Sequence, residues 1–225
     1  MLLNNYNCYH SEFFTSAEVA EIHQMAERIP LDEGRIGNNQ STDPDGTDEL
    51  YNVNNEIRQS EVKWFDEKNP MAEHIVEKIH DGVGAMARHC QWEWEYTHLE
   101  PLQYTIYKHQ PDKPTGDFYT WHTDSGPDAY DIGEMRKLSF TVQLSHPDEY
   151  EGGHFEWLEP NGVFDNLRSV DKTINIDDIK RRAPFSAKEK GSLIVFPSFV
   201  HHQVTPVTRG TRISLVGWLV GKPYL

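Results

Sequence analysis

The chain is poor in cysteine, poor in positive charge and without a long apolar run, and each shortage excludes a class of protein. Only Cys8 and Cys90 are present, with no paired spacing, so neither a disulfide framework nor a thiolate zinc site is supported and a reducing cytoplasm is expected. Lysine and arginine number 21 against 36 aspartates and glutamates, a formal charge of −15, which repels a phosphate backbone and an anionic membrane surface alike. Nucleic acid and membrane are therefore not the expected partners. No run of eighteen apolar residues occurs, and the opening MLLNNYNCYHSEFF lacks a basic start and a continuous apolar stretch, so neither membrane anchoring nor export is expected. No internal repeat or low-complexity tract is present.

What is there reads as one folded unit. Hydrophobic residues at 37% and charged residues at 25% are close to the globular average, which argues against disorder. At 225 residues the chain is long enough for one well-buried core, so residues 1–225 are expected to form a single domain. Thr15 and Glu18 form a capping-box pattern with Phe14 able to staple onto Val19, predicting a helix that ends near Pro30 and buries Val19, Ile22, Ala26 and Ile29. Leu31 to Glu56 lacks periodicity and reads as a long loop. A second helix is predicted from Asn69-Pro70 to about Cys90, with Met71, Ile75, Val76, Ile79, Val83 and Met86 on one face.

Beyond Cys90 the character changes to short segments rich in Tyr, Thr, Val, Phe and Trp, punctuated by Gly, Pro and Asp. These predict strands at Leu102–Lys108, Phe118–Thr123, Lys137–Leu144, His154–Trp157, Val170–Ile176, Ser192–Phe196, Gln203–Val207 and Arg212–Leu219. The expected fold is mainly β with flanking helices, a jelly roll or double-stranded β-helix. Residues 1–95 would supply helical support and a loop, and 96–225 the jelly-roll core.

A redox iron site for O₂ chemistry needs three protein ligands on one side and open positions opposite, which two His and one carboxylate provide. On a strand, side chains two apart share a face, so His-x-Asp can aim both ligands at one ion. Five pairs fit: His10/Glu12, His98/Glu100, His122/Asp124, His146/Asp148 and His154/Glu156. His10 precedes the first helix, His146 enters a Pro-Asp-Glu turn, and His98 has Pro101 close behind. His122/Asp124 is preferred because FYTWHTDSG reads as a strand ending at Gly126-Pro127, near a sheet rim. His154/Glu156, entering a hairpin after Gly152-Gly153, is the runner-up.

The most specific stretch runs from Gly191 to Trp218, GSLIVFPSFVHHQVTPVTRGTRISLVGW. It resembles the C-terminal half of Fe(II)/2-oxoglutarate dioxygenases related to prolyl 4-hydroxylase α-subunits. WHTD, RKLSFTVQLS and YEGGHFEW occur in that family's order. The resemblance spans roughly Gln103 to Trp218, and IRQSEVKWF is similar to an upstream segment of some members. The family pattern His-x-Val-x-Pro-Val-Thr-x-Gly-x-Arg falls on His202, Val204, Pro206–Thr208, Gly210 and Arg212. The metal ligands it implies are His122, Asp124 and His202. The adjacent His201 remains an alternative, since a one-residue strand slip exchanges the two faces.

The resemblance further implies Fe(II), with 2-oxoglutarate and O₂ as cosubstrates and room for ascorbate. It places Arg212 and Tyr107 on the distal carboxylate of 2-oxoglutarate, a task suited to a planar guanidinium. Ser214, on the face of Arg212 by period two, and Gln143 are expected to line the same pocket. Trp218, Trp121 and Phe140 are read as core aromatics. Asp124 implies hydroxylation, because halogenases of the superfamily lack the carboxylate. The leading expectation is hydroxylation of a prolyl residue in a peptide or protein. Hydroxylation of lysine, another amino acid or a small molecule is an alternative, as is a non-catalytic jelly roll that binds a metal or a small acid. The Leu31–Glu56 loop and the Asn161–Val170 loop are expected to shape the substrate entrance. Oligomeric state is left open.

Overall fold

The computed structural model describes residues 6–34, 36–37, 51–52, 54–92, 94–126, 133–159 and 176–223. Helix α1, Ser16–Glu27, starts where the capping box places it: the Thr15 N–H donates to Glu18 Oε2 at 2.7 Å, and the Glu18 N–H donates to Thr15 Oγ1 at 3.3 Å. Phe14 and Val19 are buried in one apolar cluster, as a hydrophobic staple requires. Helix α2, Glu73–His89, begins three residues later than Pro70 suggests. Asp66 Oδ1 accepts the N–H groups of Lys68 and Asn69, both at 2.9 Å, and this side-chain turn keeps Pro70 outside the helix.

The strands that build the site are β1 (Glu61–Phe65), β2 (Leu102–Lys108), β3 (Phe118–His122), β4 (Met135–Gln143), β5 (Phe155–Leu158), β6 (Leu193–Pro197), β7 (His202–Val204) and β8 (Val207–Gly221). In the larger sheet they run β6-β4-β8-β2-β1, with Cys8–His10 beside β6 and Asp32–Glu33 beside β1. In the smaller sheet the order is β5-β7-β3, flanked by Lys180–Arg182 and Arg58–Gln59. The pairings are antiparallel, and the two sheets form the expected jelly roll.

Three expectations need correction or fall outside the description. Val170–Ile176 lies outside the described residues up to Ile176, which opens a short helix, Ile176–Ile179, rather than ending a strand. The Leu31–Glu56 stretch is not wholly loop, since Asp32–Glu33, Ile36–Gly37 and Tyr51–Asn52 are strands. Of this stretch, Arg35, 38–50 and 53 lie outside the described residues, as does all of Asn161–Val170. Glu61–Phe65 is a strand that hydrophobic patterning alone did not single out.

Period-two alternation divides the large sheet into two chemistries. Leu138, Phe140 and Val142 of β4, Leu215 and Leu219 of β8, and Leu102 and Tyr104 of β2 join the buried faces of both helices in one cluster. Burying side chains such as Ile75, Ile79 and Val83 there stabilises the fold by about 1.5–3 kcal/mol each. Gly217 sits on this face because a Cβ would fall 2.4 Å from Phe140 Cζ and 2.6 Å from Leu102 Cδ2. The alternate residues are polar and equally buried: Ser139, Thr141, Gln143, Arg212, Ser214, Gln103 and Thr105. The main apolar core thus lies between helices and sheet, while the space between the sheets combines these polar side chains with smaller apolar clusters such as Phe155, Phe196 and Val204.

Candidate metal centre and its cavity

His122 ends β3 and His202 begins β7, and the antiparallel register sets the two directly opposite each other. Asp124 lies past the strand end, in a turn held by its own N–H and that of Ser125, which both donate to the Ser198 carbonyl at 2.9 and 3.1 Å. Ser198 is itself hydrogen-bonded through its hydroxyl to Ser139 Oγ on β4 at 2.8 Å. The result is a compact set: His122 Nε2 is 3.7 Å from Asp124 Oδ1, His202 Nε2 is 3.6 Å from Asp124 Oδ2, and the ligating atoms lie within 4.8 Å of one another.

Each imidazole is held in one tautomer. His122 Nδ1 donates to the Thr120 carbonyl at 2.7 Å and His202 Nδ1 to the Val200 carbonyl at 2.9 Å, because a carbonyl can only accept. Both Nε2 lone pairs are therefore left for the space beside Asp124, the arrangement in which a histidine binds a metal ion. Burial, reinforced by the neighbouring His202, pushes the His122 pKa down to about 3, so this ring is neutral at physiological pH. Burial also acts to raise the Asp124 pKa, but His202, His122 and Arg136 outweigh it and hold the carboxyl at about 2. Two imidazole nitrogens and one carboxylate oxygen form a donor set that fits Fe(II) with positions left open.

The alternation also separates the adjacent histidines: His202 is buried and faces the cluster, whereas His201 is exposed. The other His-x-acid pairs are engaged elsewhere. Glu156 accepts two hydrogen bonds from Arg182 and one from Gln203, which removes His154/Glu156 as a ligand pair. His146 caps a 3-10 turn, His98 is exposed on a two-residue strand, and His10 bonds the neighbouring Ser11 carbonyl.

A cavity of roughly 560 Å³ opens from the three residues into the space between the sheets. Arg212 lies in its wall, 2% exposed, with Nη2 donating to Gln143 Oε1 at 3.0 Å and Nη1 to Ser214 Oγ at 3.4 Å. Its guanidinium carbon is 5.6 Å from the centroid of the Tyr107 ring. Arg212, Tyr107, Ser214 and Gln143 are thus brought together. No carboxylate pairs with Arg212 among the described residues, and a buried guanidinium met only by neutral groups is suited to an anion that arrives with a ligand. Gln143 Nε2, Thr141 Oγ1 and Trp218 Nε1 are likewise buried without a hydrogen-bond partner among the described residues.

Gly152 and Gly153 make the expected turn, both with positive φ. Gly153 does more, since a Cβ there would lie 2.8 Å from Arg212 Cδ. Trp218, read from sequence as a core aromatic, lines the cavity with Arg136 3.8 Å over its ring. Sequence reasoning missed Arg58, Tyr119, Gln103 and Thr105, which also line it. The IRQSEVKWF motif was the available signal for Arg58.

The 2OG-Fe(II) oxygenase superfamily model matches residues 102–220, just over half of the chain. A PKHD-type hydroxylase of Hyphomonas neptunium is 35% identical over 105 residues, which is 46% of this chain and 38% of that protein. A PKHD-type hydroxylase of Maricaulis maris is 36% identical over 92 residues, 41% of this chain and 33% of the relative. The matched stretch thus spans less than two-fifths of the curated relatives' own length. Among solved structures, a Pseudomonas putida prolyl-4-hydroxylase aligns with a TM-score of 0.59 at 18% identity, over 98% of this chain and 95% of that one. A Trichoplax adhaerens prolyl hydroxylase, in complex with a hypoxia inducible factor peptide fragment, aligns with a TM-score of 0.60 at 18% identity, over 96% and 84%. At these identities the likeness is one of fold.

Proposed function

Because this chain belongs to the 2OG-Fe(II) oxygenase superfamily, we propose that it hydroxylates a prolyl residue in a peptide or protein, with 2-oxoglutarate and O₂ converted to succinate and CO₂. The observation that carries the reading is the convergence of His122 Nε2, His202 Nε2 and the Asp124 carboxylate on one end of a cavity whose wall holds the buried Arg212. The prolyl substrate is supported by the PKHD-type hydroxylases among the relatives and the prolyl hydroxylases among the structural neighbours.

His122, Asp124 and His202 would hold Fe(II). Bound iron supplies, with 2-oxoglutarate and O₂, the oxidising chemistry that places one oxygen atom into a C–H bond. The chain's own contribution is to hold and exclude. The carbonyls of Thr120 and Val200 retain the Nδ1 protons, so each Nε2 stays aimed at the space beside Asp124. Asp124, held ionised, supplies the single negative charge of the donor set. Arg212, steadied by Gln143 and Ser214 and flanked by Tyr107, would take the distal carboxylate of 2-oxoglutarate. The surrounding sheets leave the side chains of His122, Asp124 and His202 only 13%, 9% and 7% exposed, which limits solvent at the reacting centre.

A charge of −15 favours a peptide over a nucleic acid as partner. Cys8 and Cys90 are free thiols, which suits the reducing cytoplasm we propose as the location. Among the described residues no helix is long and apolar enough to cross a membrane.

The test is to incubate the protein with Fe(II), 2-oxoglutarate, ascorbate and a panel of proline-containing peptides, measuring succinate and peptide mass. The expected result is succinate released in step with peptide that gains one oxygen atom at proline, and neither product from His202→Ala. Oxidation only of lysine peptides or free amino acids would overturn the prolyl assignment, and absence of succinate throughout would overturn the dioxygenase reading.

A further inference from the structure

Arg58 lies on the edge strand Arg58–Gln59 of the smaller sheet, directly across from Tyr119 on β3. Its guanidinium carbon stands 4.8 Å from the centroid of the Tyr119 ring. The same ring is stacked on His122, with centroids 3.4 Å apart and planes 11° from parallel. A cation, a phenol and a metal-facing imidazole are thus in one contact series.

Arg58 is fixed in this place. Its Nε donates to Ser60 Oγ at 2.8 Å, and its Nη2 donates to Gln103 Oε1 at 2.7 Å, an oxygen that also accepts from Thr105 Oγ1 at 3.1 Å. Gly34 leaves the space open, since a Cβ there would lie 2.2 Å from Ser60 Oγ and 2.8 Å from Arg58 Nε. The backbone of the same segment reaches the same histidine: the Thr120 N–H donates to the Ile57 carbonyl at 2.9 Å, while the Thr120 carbonyl accepts from His122 Nδ1.

We propose that Arg58 is a positioning residue for the metal centre, holding Tyr119 face to face with His122 so that Nε2 of the imidazole cannot swing away from Asp124 and His202. The proposal rests on the reading of His122 as a metal ligand. A guanidinium is attracted to the face of an electron-rich ring, and a stacked ring opposes rotation of the imidazole it covers. Groups that orient a ligand from outside the coordination sphere alter metal affinity by roughly 10–100-fold, although they never touch the ion. The edge strand, far from the ligands in sequence, would in this way set how tightly the centre holds its metal.

The experiment is a titration of the metal-free protein with Co(II), followed by the visible absorption of the bound ion, on the native chain, Arg58→Ala, Arg58→Lys, Tyr119→Leu and Tyr119→Phe. Circular dichroism verifies folding, and if Arg58→Ala does not fold, the two Tyr119 variants decide. The expected result is a loss of affinity of about tenfold or more with an altered spectrum for Arg58→Ala and Tyr119→Leu. Arg58→Lys, which keeps a cation over the ring, and Tyr119→Phe, which keeps the ring, should restore most of it. Native affinity in Arg58→Ala would overturn the proposal, and if the peptide KM alone rose, Arg58 would be a substrate contact instead. Absence of Co(II) binding in the native chain would remove the metal-ligand reading itself, and this proposal with it.

Discussion

His202 stands across the β7–β3 pairing from His122, with the two ring centroids 4.1 Å apart. That single register decides which of two adjacent histidines meets Asp124, because shifting β7 by one residue would turn His201 inward and His202 out. His201→Ala is therefore expected to leave turnover unchanged, while His202→Ala abolishes it. Succinate release by the two purified variants checks this, and equal losses would mean that the register is wrong.

Arg212 is one of three arginines at the cavity, with Arg58 and Arg136, and on the proposed reading its replacement separates the cosubstrate from the metal. Hydrogen bonds to charged groups contribute about 1.5–3 kcal/mol, which corresponds to roughly 10–150-fold in affinity. Arg212→Met should raise the KM for 2-oxoglutarate within that range and leave metal affinity close to native. Arg212→Lys should recover only part, since an ammonium cannot reproduce a two-pronged contact. Steady-state kinetics with varied 2-oxoglutarate measures both.

Two glycines on opposite faces of the large sheet's surroundings should separate site from scaffold. Gly153 has φ of 53° and abuts Arg212 Cδ, so Gly153→Ala combines about 1–2 kcal/mol of backbone strain with a displaced guanidinium. It should lower the melting temperature and raise the KM for 2-oxoglutarate together. Gly217 faces the helices, so Gly217→Ala overpacks against Phe140 and Leu102 at a cost of about 1–3 kcal/mol and leaves that KM alone. Denaturant melts paired with kinetics distinguish the two outcomes.

Stability should depend on pH through His23, at the contact of α1 with the large sheet. Its Nδ1 accepts from the Tyr104 hydroxyl at 2.7 Å and its Nε2 donates to the Leu144 carbonyl at 3.3 Å, and burial holds its pKa below the ordinary 6.5. The unfolded chain then binds a proton more readily than the folded one. The contribution is complete above pH 6.5 and falls as the pH drops from there toward the folded value. His23→Gln should flatten that part of the stability profile, measured by urea melts at a series of pH values.

The parts of this molecule legible in the sequence are those whose partners repeat locally. Thr15 and Glu18 announce a helix start three residues apart, and Arg212 and Ser214 share a face by strand period alone. The rest of the polar inner face of β4 is harder to read, because Ser139 and Thr141, unlike Gln143, look like ordinary solvent-facing positions until a second sheet covers them. Trp218 reads as a core residue because aromatics dominate small β cores, yet it lies on the face that lines the cavity. Arg58 pairs with Tyr119 across more than sixty positions of chain, and only the register of an edge strand brings them together. Pro70 misplaced the start of α2 because the competing Asp66 turn depends on one side chain's choice of partner.

The most direct test of the central claim is anaerobic visible absorption of the metal-free protein titrated with Fe(II) and 2-oxoglutarate, repeated with His202→Ala and Arg212→Ala. A metal-to-cosubstrate charge-transfer band is expected in the native protein, with no band without His202 and a band that needs far more 2-oxoglutarate without Arg212. A native protein that develops no band, or a His202→Ala variant that develops the native one, would contradict that claim.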